Sequence, residues 1–104
     1  MLHYTKLFSC HQKEWLVLLH GLGGKSTLFY KQADYLSQHY NLLFIDLPGH
    51  GGSNGLDVNY YVAADVVPKI TEVLEKLKIK RAHFLTFSLG TIIGNELMYR
   101  AKQY

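Results

Sequence analysis

The chain has 104 residues, 48% of them hydrophobic, and a formal net charge of +3, enough for one core and too little for two. So mild a basic balance, with no stripe of cations and interleaved aromatics, argues against nucleic-acid binding. A single cysteine, Cys10, excludes an internal disulfide. There is no charged-then-apolar leader, and the apolar run Trp15–Leu19 is far too short to span a membrane, so the expectation is a cytoplasmic protein without a membrane partner.

Leu2–Phe8 reads as an edge strand, followed by a polar turn at Ser9–Lys13. Trp15–Leu19 is a continuous apolar run of the kind found in strands buried on both faces. The glycine loop His20–Gly24 then leads to a helix expected from about Thr27 to His39, with Ser26 as its cap and Phe29, Ala33, Leu36 and Tyr40 as its buried stripe. Asn41–Asp46 is a second buried strand, and the following segment, Leu47–Gly55, is a loop by its glycine content.

The next helix is expected to start between Asn59 and Val66 and run to about Lys78, burying Val66, Ile70, Val73, Leu74 and Leu77. Pro68 should lie in its first turn with Asp65 as cap, or else kink the helix. Lys69, Lys76, Lys78, Lys80 and Arg81 mix with Glu72 and Glu75 on or just after this helix, as on a solvated face. The strand Ala82–Thr86, a turn carrying Ser88, and a helix-like run over Leu89–Tyr104 close the chain. Gly90 and Gly94, one turn apart, would let that helix press on the sheet.

Alternating strands and helices imply an α/β fold: a mostly parallel open sheet with flanking helices and right-handed crossovers. If the strand order reverses after the second crossover, the His20 loop and the Ser88 turn meet at the carboxyl ends of neighbouring strands, where open sheets bind ligands. The six histidines show no paired metal-ligand spacing, and no metal or cofactor is expected.

One competing chemistry lies in Leu19–Ser26, which misses the phosphate-cradling pattern G-x-x-x-x-G-K-[ST] by one residue, while Asp46-Leu47-Pro48-Gly49 looks like the magnesium-holding element of nucleotide hydrolases. Leu19 in place of the first glycine should obstruct the turn over the phosphates, and no Asn-Lys-x-Asp element follows. A P-loop nucleotide-binding protein is therefore the minor alternative.

His20-Gly21-Leu22-Gly23-Gly24, Asp46-Leu47-Pro48-Gly49-His50-Gly51-Gly52-Ser53 and Phe87-Ser88-Leu89-Gly90 occur in the order and on the elements seen in the α/β-hydrolase superfamily. From about residue 13 onward the chain resembles the amino-terminal half of a small esterase/lipase-like or C–C-bond hydrolase. The resemblance implies Ser88 as nucleophile, with an oxyanion held by the backbone N–H groups of Leu89 and Leu22. It implies a loop shaped by Gly21, Gly23 and Gly24 and positioned by His20, and a structural role for Asp46. The family turn prefers a very small residue two before the serine, where this chain has Thr86. The competing reading of Ser88 is an ordinary helix-capping serine. His50 and Ser53 should fix their loop, His83 is a strand histidine, and Tyr60 and Tyr61 are expected to be packing residues, with pocket lining as the alternative.

In this family the triad runs serine, acid, histidine in chain order. No histidine lies beyond Ser88 here, and Glu96 is the one acidic residue that does. The expectation is thus the amino-terminal part of one hydrolase domain, residues 1–104, with lid, acid and histidine absent, inactive alone toward a small acyl-type substrate. Elimination or peroxidation by the same fold remains open. The edge of strand 82–86 should self-associate or accept a complementing second half. A non-catalytic hydrolase-fold interaction module is the other class of reading.

Overall fold

The computed structural model describes residues 1–21, 29–53 and 63–104. Four strands form one sheet: β1 (Tyr4–Leu7), β2 (Trp15–Leu19), β3 (Asn41–Ile45) and β4 (Ala82–Thr86), in the order β1-β3-β2-β4. β2 is parallel to both β3 and β4, and β1 joins β3 antiparallel as an edge strand, with Tyr4 opposite Ile45. The helices are α1 (Tyr30–Leu36), α2 (Ala63–Lys76) and α3 (Leu89–Arg100), with a short 3₁₀ turn at Gly51–Ser53.

Strand alternation divides the core between the two faces of the sheet. Val17, Leu19, Leu43 and Ile45 face α2 and α3, packing with Val66, Ile70, Val73, Leu74, Ile93 and Leu97. Leu16, Leu18, Leu42 and Phe44 face the other way, against Phe29, Ala33, Leu36 and Tyr40. Both central strands are therefore buried on two sides, which is why they read as unbroken apolar runs.

Several boundaries differ from the sequence expectation. α1 ends at Leu36 and tapers through tighter bonds, Gln38 N–H to Tyr35 O and His39 N–H to Leu36 O. Its expected start at Thr27 and cap Ser26 lie outside the described residues, as do Tyr60 and Tyr61. α2 begins at Ala63, so Asp65 is not its cap but sits inside the first turn, where its charge complements the helix dipole. Pro68 is in the helix interior rather than the first turn. The buried stripe carries the helix past it, at the loss of one backbone bond. α2 stops where Lys78 turns left-handed (φ 58°), with Lys78 N–H bonded to Glu75 O and Ile79 N–H to Leu74 O. α3 ends at Arg100, and buried Ala101 turns the chain out of the helix.

A pin beneath the sheet was not foreseen. Asn41, buried at the start of β3, accepts at Oδ1 from Ser9 N–H (2.8 Å) and donates through Nδ2 to Cys10 O (2.8 Å) and Lys13 O (3.0 Å). One side chain thereby folds the β1–β2 turn and leaves its own polar atoms satisfied.

Candidate active site

The order β3-β2-β4 contains the reversal that the site requires: the chain crosses from β2 to β3 on one side, then returns to β4 on the other. Leu19 and Thr86 are register partners, so the ends of β2 and β4 lie side by side. Phe87 N–H continues the ladder to Leu19 O at 3.1 Å, which sets the Ser88 turn beside the start of the His20 loop.

Ser88 joins β4 to α3 with φ 53° and ψ −114°. Such a backbone conformation costs a non-glycine residue on the order of 1–3 kcal/mol and persists only when its surroundings enforce it. Three bonds do so: Gly90 N–H to Phe87 O (2.9 Å), Thr91 N–H to Ser88 O (2.8 Å) and Ile92 N–H to Ser88 O (3.3 Å). Ser88 occupies the N-cap position of α3 yet its side chain makes no capping hydrogen bond, contrary to what a helix-capping serine would do. The residue is exposed, and its hydroxyl stands at the helix start. Leu89, as first residue of α3, carries an N–H with no carbonyl a turn earlier in the helix to bond.

α3 approaches the sheet closely enough to exclude side chains. A Cβ at Gly90 would lie 2.3 Å from Leu19 O, and one at Gly94 would lie 2.9 Å from Thr86 Cγ2. The threonine two before Ser88 is thus accommodated by glycine on the facing helix. Gly21 is buried with the Phe87 ring over it, 2.9 Å from where its Cβ would be. Leu22, Gly23 and Gly24 lie outside the described residues.

His20 is fully buried at the end of β2. Its Nδ1–H donates to Gly21 O (2.8 Å), and its Nε2 accepts from Leu47 N–H (2.9 Å), so the ring ties the loop after β2 to the loop after β3. Burial pushes its pKa down, the bond to Gly21 O and the charge of Asp46 oppose this, and nearby His50 adds to it. The neutral ring is therefore the folded form, and protonation removes the acceptor that Leu47 uses.

A pH dependence follows. His20 titrates at about 6.5 when unfolded and lower when folded. The unfolded chain then binds the extra proton, so the His20 contribution is complete above about pH 6.5 and is lost as pH falls through the folded value. In urea denaturation, wild type should lose more stability between about pH 7 and pH 5 than His20→Asn. Parallel curves for the two proteins would exclude His20 as the titrating group.

The loop after β3 is held by its own residues. Buried Asp46 accepts from His3 Nδ1–H (2.9 Å) and Gly52 N–H (3.0 Å). Ser53 donates to Asp46 O (2.7 Å) and accepts from His3 N–H (2.8 Å). His50 donates to Pro48 O (3.0 Å) and packs its ring 4.9 Å from that of His20. These contacts fit the structural roles expected of Asp46, His50 and Ser53; the part played by His3 had no local signal, being set by pairing 43 residues away. His83 donates to Glu14 on an exposed face, and Glu96 pairs with Arg100 along α3. Among the described residues no group of histidine, cysteine or acidic side chains is arranged to hold a metal, and no helix is long and apolar enough to cross a membrane.

Comparison with known proteins agrees with this architecture. The family described as alpha/beta hydrolase fold matches residues 14–104. The (E)-2-((N-methylformamido)methylene)succinate hydrolase of Acinetobacter baylyi is 33% identical over 91 residues, 88% of this chain and 33% of that protein. The pimeloyl-[acyl-carrier protein] methyl ester esterase of Aeromonas salmonicida is 33% identical over 82 residues, 79% of this chain and 31% of its own length. The crystal structure of the enol-lactonase from Burkholderia xenovorans superposes with a TM-score of 0.89 at 30% identity, over 98% of this chain and 39% of its own length. The chain thus spans about a third of the length of the curated relatives it matches. These matches displace the phosphate-loop reading of Leu19–Ser26: the chain belongs to the α/β-hydrolase fold family.

Proposed function

We propose that the chain carries the nucleophile and oxyanion donors of a serine hydrolase for a small acyl substrate: an ester, thioester or related carbonyl compound. The supporting observation is Ser88, held left-handed at the β4–α3 join with its hydroxyl exposed and free of any capping bond. In this reading Ser88 Oγ attacks the carbonyl carbon, its proton passes to a general base, and the leaving group departs from a covalent acyl-enzyme. The Leu89 and Leu22 N–H groups receive the oxyanion, each donor being worth roughly 2.7–4 kcal/mol in studied hydrolases. His20, Gly21, Gly23 and Gly24 shape the loop that presents Leu22. No cofactor takes part.

The residues act as the amino-terminal part of one hydrolase domain, in the cytoplasm, where Cys10 stays a free thiol. No histidine follows Ser88 within the 104 residues, so base and acid would come from outside them. The edge of β4, unpaired among the described residues, is the surface for a complementing portion or a second copy, flanked by exposed Leu85 and Met98.

The 104-residue polypeptide is accordingly expected to hydrolyse p-nitrophenyl esters no faster than background and to associate in light scattering. Fused to the remainder of the Acinetobacter baylyi relative, it should hydrolyse them. Ser88-dependent turnover by a monodisperse monomer would refute the need for outside residues. A folded but inert fusion would favour a non-catalytic interaction module.

A further inference from the structure

Thr86 and Thr91 meet across the Ser88 turn. Thr86, the last residue of β4, accepts at Oγ1 a hydrogen bond from the Thr91 hydroxyl at 3.0 Å. Thr91 in turn uses its backbone N–H to bind Ser88 O at 2.8 Å. One residue of the helix therefore grips both the serine and the strand before it, closing a ring around the left-handed Ser88. The other branch of Thr86 sets the geometry of this grip. A Cβ at position 94 would lie 2.9 Å from Thr86 Cγ2 but 3.9 Å from Thr86 Cβ, so only the γ-methyl requires glycine on the helix.

We propose that Thr86 is a positioning residue for Ser88: its hydroxyl clasps Thr91 across the turn, and Gly94 is the space its methyl requires. The proposal rests on the nucleophile reading of Ser88, but its physical content is a coupling among residues 86, 91 and 94. The side chain that departs from the small residue usual at this turn thereby braces it. Such a side-chain bond restrains local opening of the turn without adding to the buried core.

Native-state hydrogen exchange and thermal denaturation of single and double variants separate these effects. Thr86→Val keeps the shape and loses the hydroxyl. It should leave Tm and the exchange of Val17 and Leu43 amides unchanged while the Thr91 and Ile92 amides exchange about fivefold faster, as loss of one hydrogen bond implies. Thr86→Ser keeps the hydroxyl and should restore wild-type exchange at those two amides. Gly94→Ala should lower Tm or prevent folding, whereas Gly94→Ala with Thr86→Ser should fold with Tm at or above wild type, since the clash is gone and alanine favours the helix. Wild-type exchange in Thr86→Val, or a double variant as damaged as Gly94→Ala, would overturn the proposal. None of these readouts needs turnover, so an unreactive Ser88 would count against the nucleophile reading and leave the clasp intact.

Discussion

Gly90→Ala is expected to destabilise the fold by about 3 kcal/mol or more, a large share of the roughly 5–15 kcal/mol that holds a small domain together. In an ordinary helix interior the same substitution would stabilise by up to about 1 kcal/mol, because alanine loses less chain entropy. Here the added Cβ would sit 2.3 Å from Leu19 O, 2.7 Å from His20 O and 2.8 Å from Leu19 C. All three are backbone atoms at the end of the central strand, so no side chain can rotate away. α3 would have to lift off β2, breaking the Phe87–Leu19 bond that joins the serine turn to the sheet. Urea denaturation followed by circular dichroism measures the loss. Wild-type stability in Gly90→Ala would mean that α3 does not approach β2 as described.

Ser88→Ala is expected to have the largest effect on activity and almost none on folding. In the fusion with the relative's remaining sequence, it should lower kcat on the order of 10⁶, as loss of the nucleophile does in a studied serine protease. The exposed hydroxyl makes no capping bond, so removing it takes nothing from the helix and leaves no buried group unpaired. Alanine also adopts the left-handed backbone about as poorly as serine, so Tm should move little. Loss of activity together with loss of the fold would instead describe a structural serine. The steady-state rate and the melting curve of the same preparation distinguish the two.

Much of this architecture was legible because burial on both faces writes a strand as an unbroken apolar run. Trp15–Leu19 coincides with β2, and Asn41–Asp46 differs from β3 by one residue; Ala82–Thr86 also coincides with β4, although that edge strand only alternates between half-buried and exposed residues. The apolar stripes of α1 and α2 were readable for the same reason, since Phe29, Ala33, Val66 and Ile70 recur at helical spacing and do pack into the core. Helix ends were less legible. Asp65 and Pro68 carry the usual signals of a helix start, but the helix already includes Ala63 and Ala64 ahead of Asp65, alanine being the residue of highest helix propensity.

Long-range side-chain bonds left no local trace. Nothing near Asn41 announces that it folds a turn about 30 residues earlier, and nothing near His3 announces Asp46. At the candidate site, the serine turn and the His20 loop could be named from their spacing, while their adjacency depended on a strand order that spacing alone does not fix. Thr86 looked like a defect in the serine turn; only the facing helix shows that Gly94 makes room for it.

Covalent capture probes Ser88 as a nucleophile in position without any need for turnover. The fusion protein is treated with a fluorophosphonate, digested, and its peptides are mapped by mass spectrometry. Stoichiometric modification is expected at Ser88, in the tryptic peptide that begins after Arg81, and none in Ser88→Ala. A folded fusion left unmodified, or modified at another serine with Ser88 untouched, would contradict it.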